Sequence, residues 1–255
     1  MKFSANLGFL WQELPLADAI TAAKAAGFDA VECHWPYDQP LADVRQALEQ
    51  TGLPMLGLNT RRGRSGQNGL AAFPASVSEA RAAIDEAVDY AEAIGAEAIH
   101  VMAGCAEGSR AHDTFLQNLN YACSRTDKMI LIEPLNQHDA PGYFLKTTDQ
   151  AGDIIEELAR ANLRLMFDCY HVARTEGDVV ARLEARLSMI GHIQLASVPD
   201  RGPPDHGALH YPSVFDRLAA LGWERPLGAE YRPDGPTEAT LAWLSASRGL
   251  SLIHI

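Results

Sequence analysis

Four apolar runs in the second half of the chain each end in, or carry, one oxygen-bearing side chain: Met129-Ile-Leu-Ile-Glu133, Leu163-Arg-Leu-Met-Phe-Asp168, Ile190-Gly-His-Ile-Gln194 and Pro226-Leu-Gly-Ala-Glu230. A carboxylate at the end of an aliphatic run is costly to bury unless a cation, a proton or a hydrogen-bond donor meets it. Three carboxylates and an amide oxygen converging on one point suit a hard divalent ion, Mg²⁺ or Mn²⁺ rather than Zn²⁺, because every donor is oxygen. Such an ion would stabilise the oxygens of an enediolate, the intermediate formed when a weakly acidic C–H beside a carbonyl loses its proton. Glu133 and Glu230, at the two ends of the set, could then take and return protons on opposite sides of the substrate. Any one of these acids alone reads equally well as a helix cap or a solvent-facing strand end; four in register do not.

The separations between them, 35, 26 and 36 residues, each match about one strand–helix unit of an eight-fold barrel. Short strand-like runs alternate with Ala-rich helical patterns along the whole chain. Strands are predicted near 2–8, 28–34, 54–59, 97–103, 129–134, 163–168, 190–195 and 226–231, and helices at 16–26, 41–51, 77–94, 112–125, 148–161, 178–187, 213–221 and 236–247. Eight such units make a (β/α)8 TIM barrel as one domain spanning 1–255, with its chemistry at the C-terminal strand ends. Gly27, Gly52, Gly95 and Gly222 sit where helices should stop, and Ser76-Val-Ser-Glu79 and Thr147-Thr-Asp-Gln150 have the form of capping boxes. The long segment from Thr60 to Pro74 follows the third strand and is expected to close over substrate as a lid. An apolar tail occupies 245–255.

The 255 residues carry a net charge of −12 and are 47% hydrophobic. An acidic surface argues against a nucleic-acid or anionic-membrane partner. Cys33, Cys105, Cys123 and Cys169 lack metal or redox spacing and fit a cytoplasmic protein with reduced thiols. The N-terminal residues lack a signal-peptide core. Assembly into a homo-oligomer is compatible with the sequence.

Glu133-Pro-Leu-Asn136 with Pro141-Gly-Tyr-Phe-Leu145, Phe167-Asp-Cys-Tyr-His171, His192-Ile-Gln194 and Gly228-Ala-Glu-Tyr231 resemble, in order and spacing, the hydroxypyruvate isomerase family of xylose-isomerase-like barrels. Phe3-Ser-Ala-Asn-Leu7, Gly27-Phe-Asp-Ala-Val-Glu32 and Trp35-Pro-Tyr37 extend the likeness over nearly the whole chain. The resemblance implies that Glu133, Asp168, Gln194 and Glu230 bind the divalent ion and that Glu133 and Glu230 exchange protons with substrate. It further implies that His171 contacts substrate, against a helix-capping reading, and that Arg201 meets its carboxylate. Beyond Arg201 the chain departs from the family, reading Gly202-Pro-Pro-Asp-His-Gly-Ala-Leu-His210 and lacking two acids. Arg61 and Arg62, at the start of the 60–74 loop, could also hold the anion or simply form a solvated charge run. Glu32 shares a strand face with His34; it would orient substrate or His34, or pair with a buried arginine. His192 is read as supporting Gln194 from the same strand face, and His100 as a satisfied residue of the barrel interior.

The function implied is metal-dependent aldose–ketose isomerisation of hydroxypyruvate to tartronate semialdehyde on a small 2-oxo or hydroxy acid. The alternatives are a 2-oxo-tetronate isomerase, a sugar 3-epimerase of the same superfamily, or a non-catalytic sugar-acid binding protein. An endonuclease on this fold would call for a basic face and a His-rich zinc cluster, neither of which the sequence carries.

Overall fold

Eight short parallel strands run β1 (Phe3–Asn6), β2 (Ala30–Glu32), β3 (Gly57–Asn59), β4 (Ala98–His100), β5 (Met129–Ile132), β6 (Leu163–Asp168), β7 (Ile190–Leu195) and β8 (Leu227–Ala229) in the computed structural model, which describes residues 1–250. They hydrogen-bond in the order β2-β1-β8-β7-β6-β5-β4-β3. The remaining gap, between β2 and β3, is bridged by Val31 N–H to Pro54 O (3.0 Å) and Leu56 N–H to Val31 O (2.7 Å), which completes the (β/α)8 barrel.

Most strand residues are buried, as a barrel under a ring of helices requires, although Gly57 and Asn59 of β3 are only partly so. Phe3, Ile130, Ile132, Leu165, Phe167, Ile193 and Leu195 are fully buried. The helices are α1 (Leu16–Ala25), α2 (Leu41–Thr51), α3 (Val77–Ile94), α4 (Ser109–Arg125), α5 (Thr148–Leu158), α6 (Cys169–Thr175), α7 (Val179–Arg186), α8 (Tyr211–Ala220) and α9 (Ala242–Leu250). α6 was not anticipated: at seven residues it is too short to show periodicity, and it starts on the Asp168 carboxylate, which accepts the Tyr170 N–H. The expected helix 236–247 divides into a 3₁₀ turn at Thr237–Thr240 and α9. The tail expected at 245–255 lies within α9 as far as 250, and 251–255 are outside the described residues. No described helix is long and apolar enough to cross a membrane.

One capping box forms by half, its Gln150 side chain accepting the Lys146 N–H rather than that of Thr147, and the other does not form. Thr147 Oγ accepts the Gln150 N–H at 3.1 Å. Ser76 ends a 3₁₀ turn with φ −123° and ψ 24° and makes no side-chain cap, because its backbone leaves the extended conformation an N-cap needs.

The 60–74 loop is only partly free to act as a lid. Residues 61–68 are largely solvent-facing, but Ala71 and Ala72 donate to Met102 O and Ala103 O (3.2 and 2.7 Å) and Asn118 holds Ala71 O at 2.8 Å. The pinned half requires Gly69: at φ +118° a Cβ there would lie 2.3 Å from Met102 O. Gly69→Ala is therefore expected to destabilise the fold by at least about 1 kcal/mol. A thermal melt would show this as a Tm lower by roughly 2–4 °C or more; an unchanged Tm would mean the loop is not held as described.

Candidate active site

Strand register stacks the functional side chains in layers at the C-terminal end of the barrel. Asp168 pairs with Gln194 and Gln194 with Gly228, while Glu230, two residues on, projects to the same interior side. Glu133 directly follows β5. All four side chains are buried, and Glu133 Oε1, Asp168 Oδ2 and Gln194 Oε1 find no hydrogen-bond donor. Three orphaned acceptor oxygens on neighbouring strands are what a hard cation satisfies, and the donor set fits Mg²⁺ or Mn²⁺.

The fourth acid is held differently. Glu230 Oε2 accepts from Arg201 at 2.7 Å, and its Oε1 meets His34 Nε2 at 3.0 Å and Asn6 Nδ2 at 3.1 Å. Burial works to raise the Glu230 carboxyl, but the Arg201 guanidinium and the His34 bond outweigh it and hold the group at about 2. Glu133 goes the other way: burial, then the charges of Glu230 and Asp168, push its carboxyl well above the ordinary range, and Arg201 offsets this only in part. Burial also lifts Asp168 to about 7 against the pull of Arg201. Without a cation the two acids thus diverge: Arg201 and His34 favour the charged form of Glu230, whereas burial and the neighbouring acids oppose charge on Glu133.

His171 has a defined tautomer. The Asn136 amide is oriented by His138 and Asp139 N–H groups donating to its Oδ1 (3.1 and 3.0 Å), so its Nδ2 faces His171 Nδ1 at 2.7 Å; the Asn136 backbone N–H donates there too. Burial and the Arg201 charge lower the imidazole to about 3, so it is neutral with its proton on Nε2. That N–H lies 3.6 Å from Asp168 Oδ2 and 3.9 Å from Glu133 Oε1. Although Glu133, Asp168 and His171 lie close enough to share an ion, a protonated Nε2 is a donor and not a ligand. His171 Nε2–H is thereby left as a hydrogen-bond donor beside the two acids.

A cleft of about 330 Å³ opens above this cluster, walled by Phe9, Trp35, Met102 and Leu135, with Arg62 and Arg232 at its rim. The structure brings Glu133, Glu230, His171, Arg201 and Arg62 to the cleft; Asp168 and Gln194 do not line it, and Gln194 instead borders a small interior cavity with Glu32, His100 and His192. Two expected substrate contacts are elsewhere. Arg61 is turned toward α3, bonded to Glu86 at 2.7 and 3.0 Å and stacked on Tyr37. Glu32 reaches neither the cleft nor His34: it lies against His192, Asn6 and Gln194, lining a small cavity in the barrel interior. His100 is buried as expected, but neither ring nitrogen is hydrogen-bonded; Nδ1 lies 3.7 Å from Glu133 Oε2.

Asn6, His34, Asn136 and Arg232 were missed as site residues. Arg232 had a legible signal, lying two residues beyond Glu230. The Asn136 role depends on a turn that no periodicity shows.

The xylose isomerase-like TIM barrel family model matches residues 20–247. The 2-oxo-tetronate isomerase of Cupriavidus necator is 41% identical over 97% of this chain and 99% of its own length. The hydroxypyruvate isomerase of Escherichia coli is 32% identical over 97% and 100%. The crystal structure of an AP endonuclease, family 2, from Brucella melitensis superposes with a TM-score of 0.92 at 34% identity, covering 96% of this chain and 98% of that one. Fold, strand-end acids and these relatives agree: the chain belongs to the xylose isomerase-like TIM barrel family, alongside its hydroxypyruvate and 2-oxo-tetronate isomerases, and is an enzyme of the isomerase class.

Proposed function

We propose that the protein is a divalent-metal-dependent aldose–ketose isomerase that moves the oxo group of a small 2-oxo acid from C2 to C3, converting hydroxypyruvate to tartronate semialdehyde. The observation that carries this reading is the set of three donorless oxygens, on Glu133, Asp168 and Gln194, beside the arginine-held carboxylate of Glu230. A divalent ion held by Glu133, Asp168, Gln194 and Glu230 would supply Lewis-acid stabilisation of the enediolate oxygens.

The chain's own groups supply the rest. Glu230, held ionised, accepts the C3 proton of the substrate. Glu133, on the other side of the substrate, delivers to C2 a proton exchanged from solvent, while the C3 hydroxyl proton passes to the oxygen on C2, so that hydroxyl and carbonyl change places. His171 donates its Nε2–H to a substrate oxygen. Phe9, Trp35 and Leu135 keep bulk water from the carbanionic intermediate.

Arg201 is engaged by Glu230 and lies 3.6 Å from Asp168, so the substrate carboxylate falls to the rim arginines. Arg62 lies over the Trp35 ring at 4.9 Å and bonds only the neutral Asn68 at 2.6 Å; Arg232 forms no ion pair among the described residues. Arg62→Ala and Arg232→Ala are each expected to raise KM about tenfold or more, the worth of one charge-assisted hydrogen bond, with a smaller effect on kcat. Steady-state kinetics check this, and an unchanged KM in both variants would place the carboxylate elsewhere.

A four-carbon substrate, 2-oxo-tetronate, is the second reading, favoured by the higher identity to the Cupriavidus enzyme and by a cleft roomy for three carbons. The nuclease name of the Brucella protein finds little support in this chain, whose net charge of −12 repels a phosphate backbone. Identification of products by NMR from three- and four-carbon 2-oxo acids, with Mg²⁺ or Mn²⁺ added, tests the assignment. An isomer with its carbonyl moved supports it; inversion at one carbon with the carbonyl in place would make the protein an epimerase.

A further inference from the structure

We propose that Glu32, buried in the barrel interior, is a positioning residue that fixes which end of the Gln194 amide faces the ion. The inference rests on the reading of Gln194 as a metal ligand. A glutamine amide can turn over at almost no steric cost, and one orientation presents oxygen to a cation while the other presents N–H, which repels it. Something must choose between them.

Glu32 makes that choice. Its Oε1 accepts from Gln194 Nε2 at 3.4 Å and from Asn6 Nδ2 at 3.2 Å, and its Oε2 is in contact with His192 Nε2. With Nε2 of Gln194 on a carboxylate, the turned-over amide would set its Oε1 against the Glu32 oxygen, acceptor against acceptor. The favoured orientation leaves Gln194 Oε1 buried, without a donor and aimed away from Glu32. The same carboxylate reaches a second ligand, because the Asn6 Nδ2 that bonds Glu32 also bonds Glu230 Oε1. A glutamine at 32 would still accept from Asn6 Nδ2 through its Oε1 and so keep this second contact, leaving the Gln194 contact as the one the substitution tests.

A separate feature of the backbone is built around this arrangement. Gly228 lies opposite Gln194 in β8, and a Cβ there would fall 2.4 Å from Glu32 Oε1, 2.9 Å from His192 Nε2 and 3.0 Å from Gln194 Cγ. No left-handed backbone demands a glycine at 228; the three side chains do.

The test is binding of Mn²⁺ alone, without substrate, by titration calorimetry on Glu32→Gln, Gln194→Ala and the double variant, with folding checked by circular dichroism. A glutamine at 32 can donate as well as accept and so permits both amide orientations. Glu32→Gln is expected to weaken Mn²⁺ binding about 10–100-fold, as loss of a ligand's supporting partner does. The double variant should bind within about twofold of Gln194→Ala, because Glu32 acts through that side chain, whereas a merely structural role would give losses that multiply. Unchanged affinity in Glu32→Gln alongside a weakened Gln194→Ala, or multiplying losses, would overturn the positioning role alone. Wild-type affinity in Gln194→Ala would overturn the ligand assignment and the proposal with it. Should Glu32→Gln fail to fold, Gly228→Ala displaces the same carboxylate with every polar group retained and is expected to weaken Mn²⁺ binding likewise; unchanged affinity there would count against the proposal.

Discussion

Replacing either proton-transfer carboxylate by its amide, Glu133→Gln or Glu230→Gln, is expected to lower kcat by about 10²–10⁴-fold, the usual contribution of a positioned general acid or base. The shape of the site is nearly unchanged in both, and kcat measured at saturating Mn²⁺ or Mg²⁺ separates loss of proton transfer from loss of a metal ligand. Their stabilities should diverge. Glu133→Gln removes a buried acid whose charge is opposed by Glu230 and Asp168, and the fold should tolerate it. Glu230→Gln leaves the buried Arg201 without its 2.7 Å charged partner, a loss that costs about 3–5 kcal/mol. Steady-state kinetics and thermal melts on both variants check the pair of expectations. A wild-type kcat from either would remove that residue from the proton shuttle, and equal stabilities would contradict the account of Arg201.

Removal of the divalent ion by a chelator is expected to abolish turnover and lower Tm. An ion at a hundred times its dissociation constant stabilises the folded state by about 2.7 kcal/mol, or roughly 5–10 °C for a chain of this size. Affinity should also depend on pH. Glu133 and Asp168 are both raised by burial, Asp168 to about 7, so protons compete with the ion at low pH. Mn²⁺ binding should therefore strengthen as pH rises toward and through about 7, then level off as the carboxyls are fully ionised. Calorimetry across that range, with activity before and after metal restoration, measures both effects. Metal-free protein that keeps its rate and its Tm would contradict the site.

The four oxygen-bearing residues proposed as ligands stand out in sequence because each ends or directly follows an apolar run, and the period of the barrel brings successive strand ends together. The eight strands were legible for the same reason, although they are shorter than the apolar runs: β2 and β4 are three residues each, since pairing stops where the barrel flares. What sequence concealed was direction. Arg61 and Arg62 are adjacent and chemically alike, yet Arg61 turns to Glu86 and Arg62 to Trp35, a choice made by acids on α3. Glu32 carries the chemistry of a site residue but lines the interior cavity and not the cleft, a distinction set by strand register. Within the 60–74 loop the glycines at 63 and 66 lie in the solvent-facing part, whereas Gly69 is packed where a Cβ would meet Met102 O, a difference that glycine spacing alone does not show.

The most direct test is isomerisation in D₂O by the Mn²⁺- or Mg²⁺-loaded protein, followed by NMR at C2 and C3 from the first turnover. Transfer between two carboxylates removes the C3 proton and delivers another to C2, so the account predicts product carrying deuterium at C2, with incorporation lost together with turnover in Glu133→Gln and Glu230→Gln. Product that retains the original hydrogen at C2 would mean it migrates without leaving the substrate, and would contradict the two-glutamate mechanism.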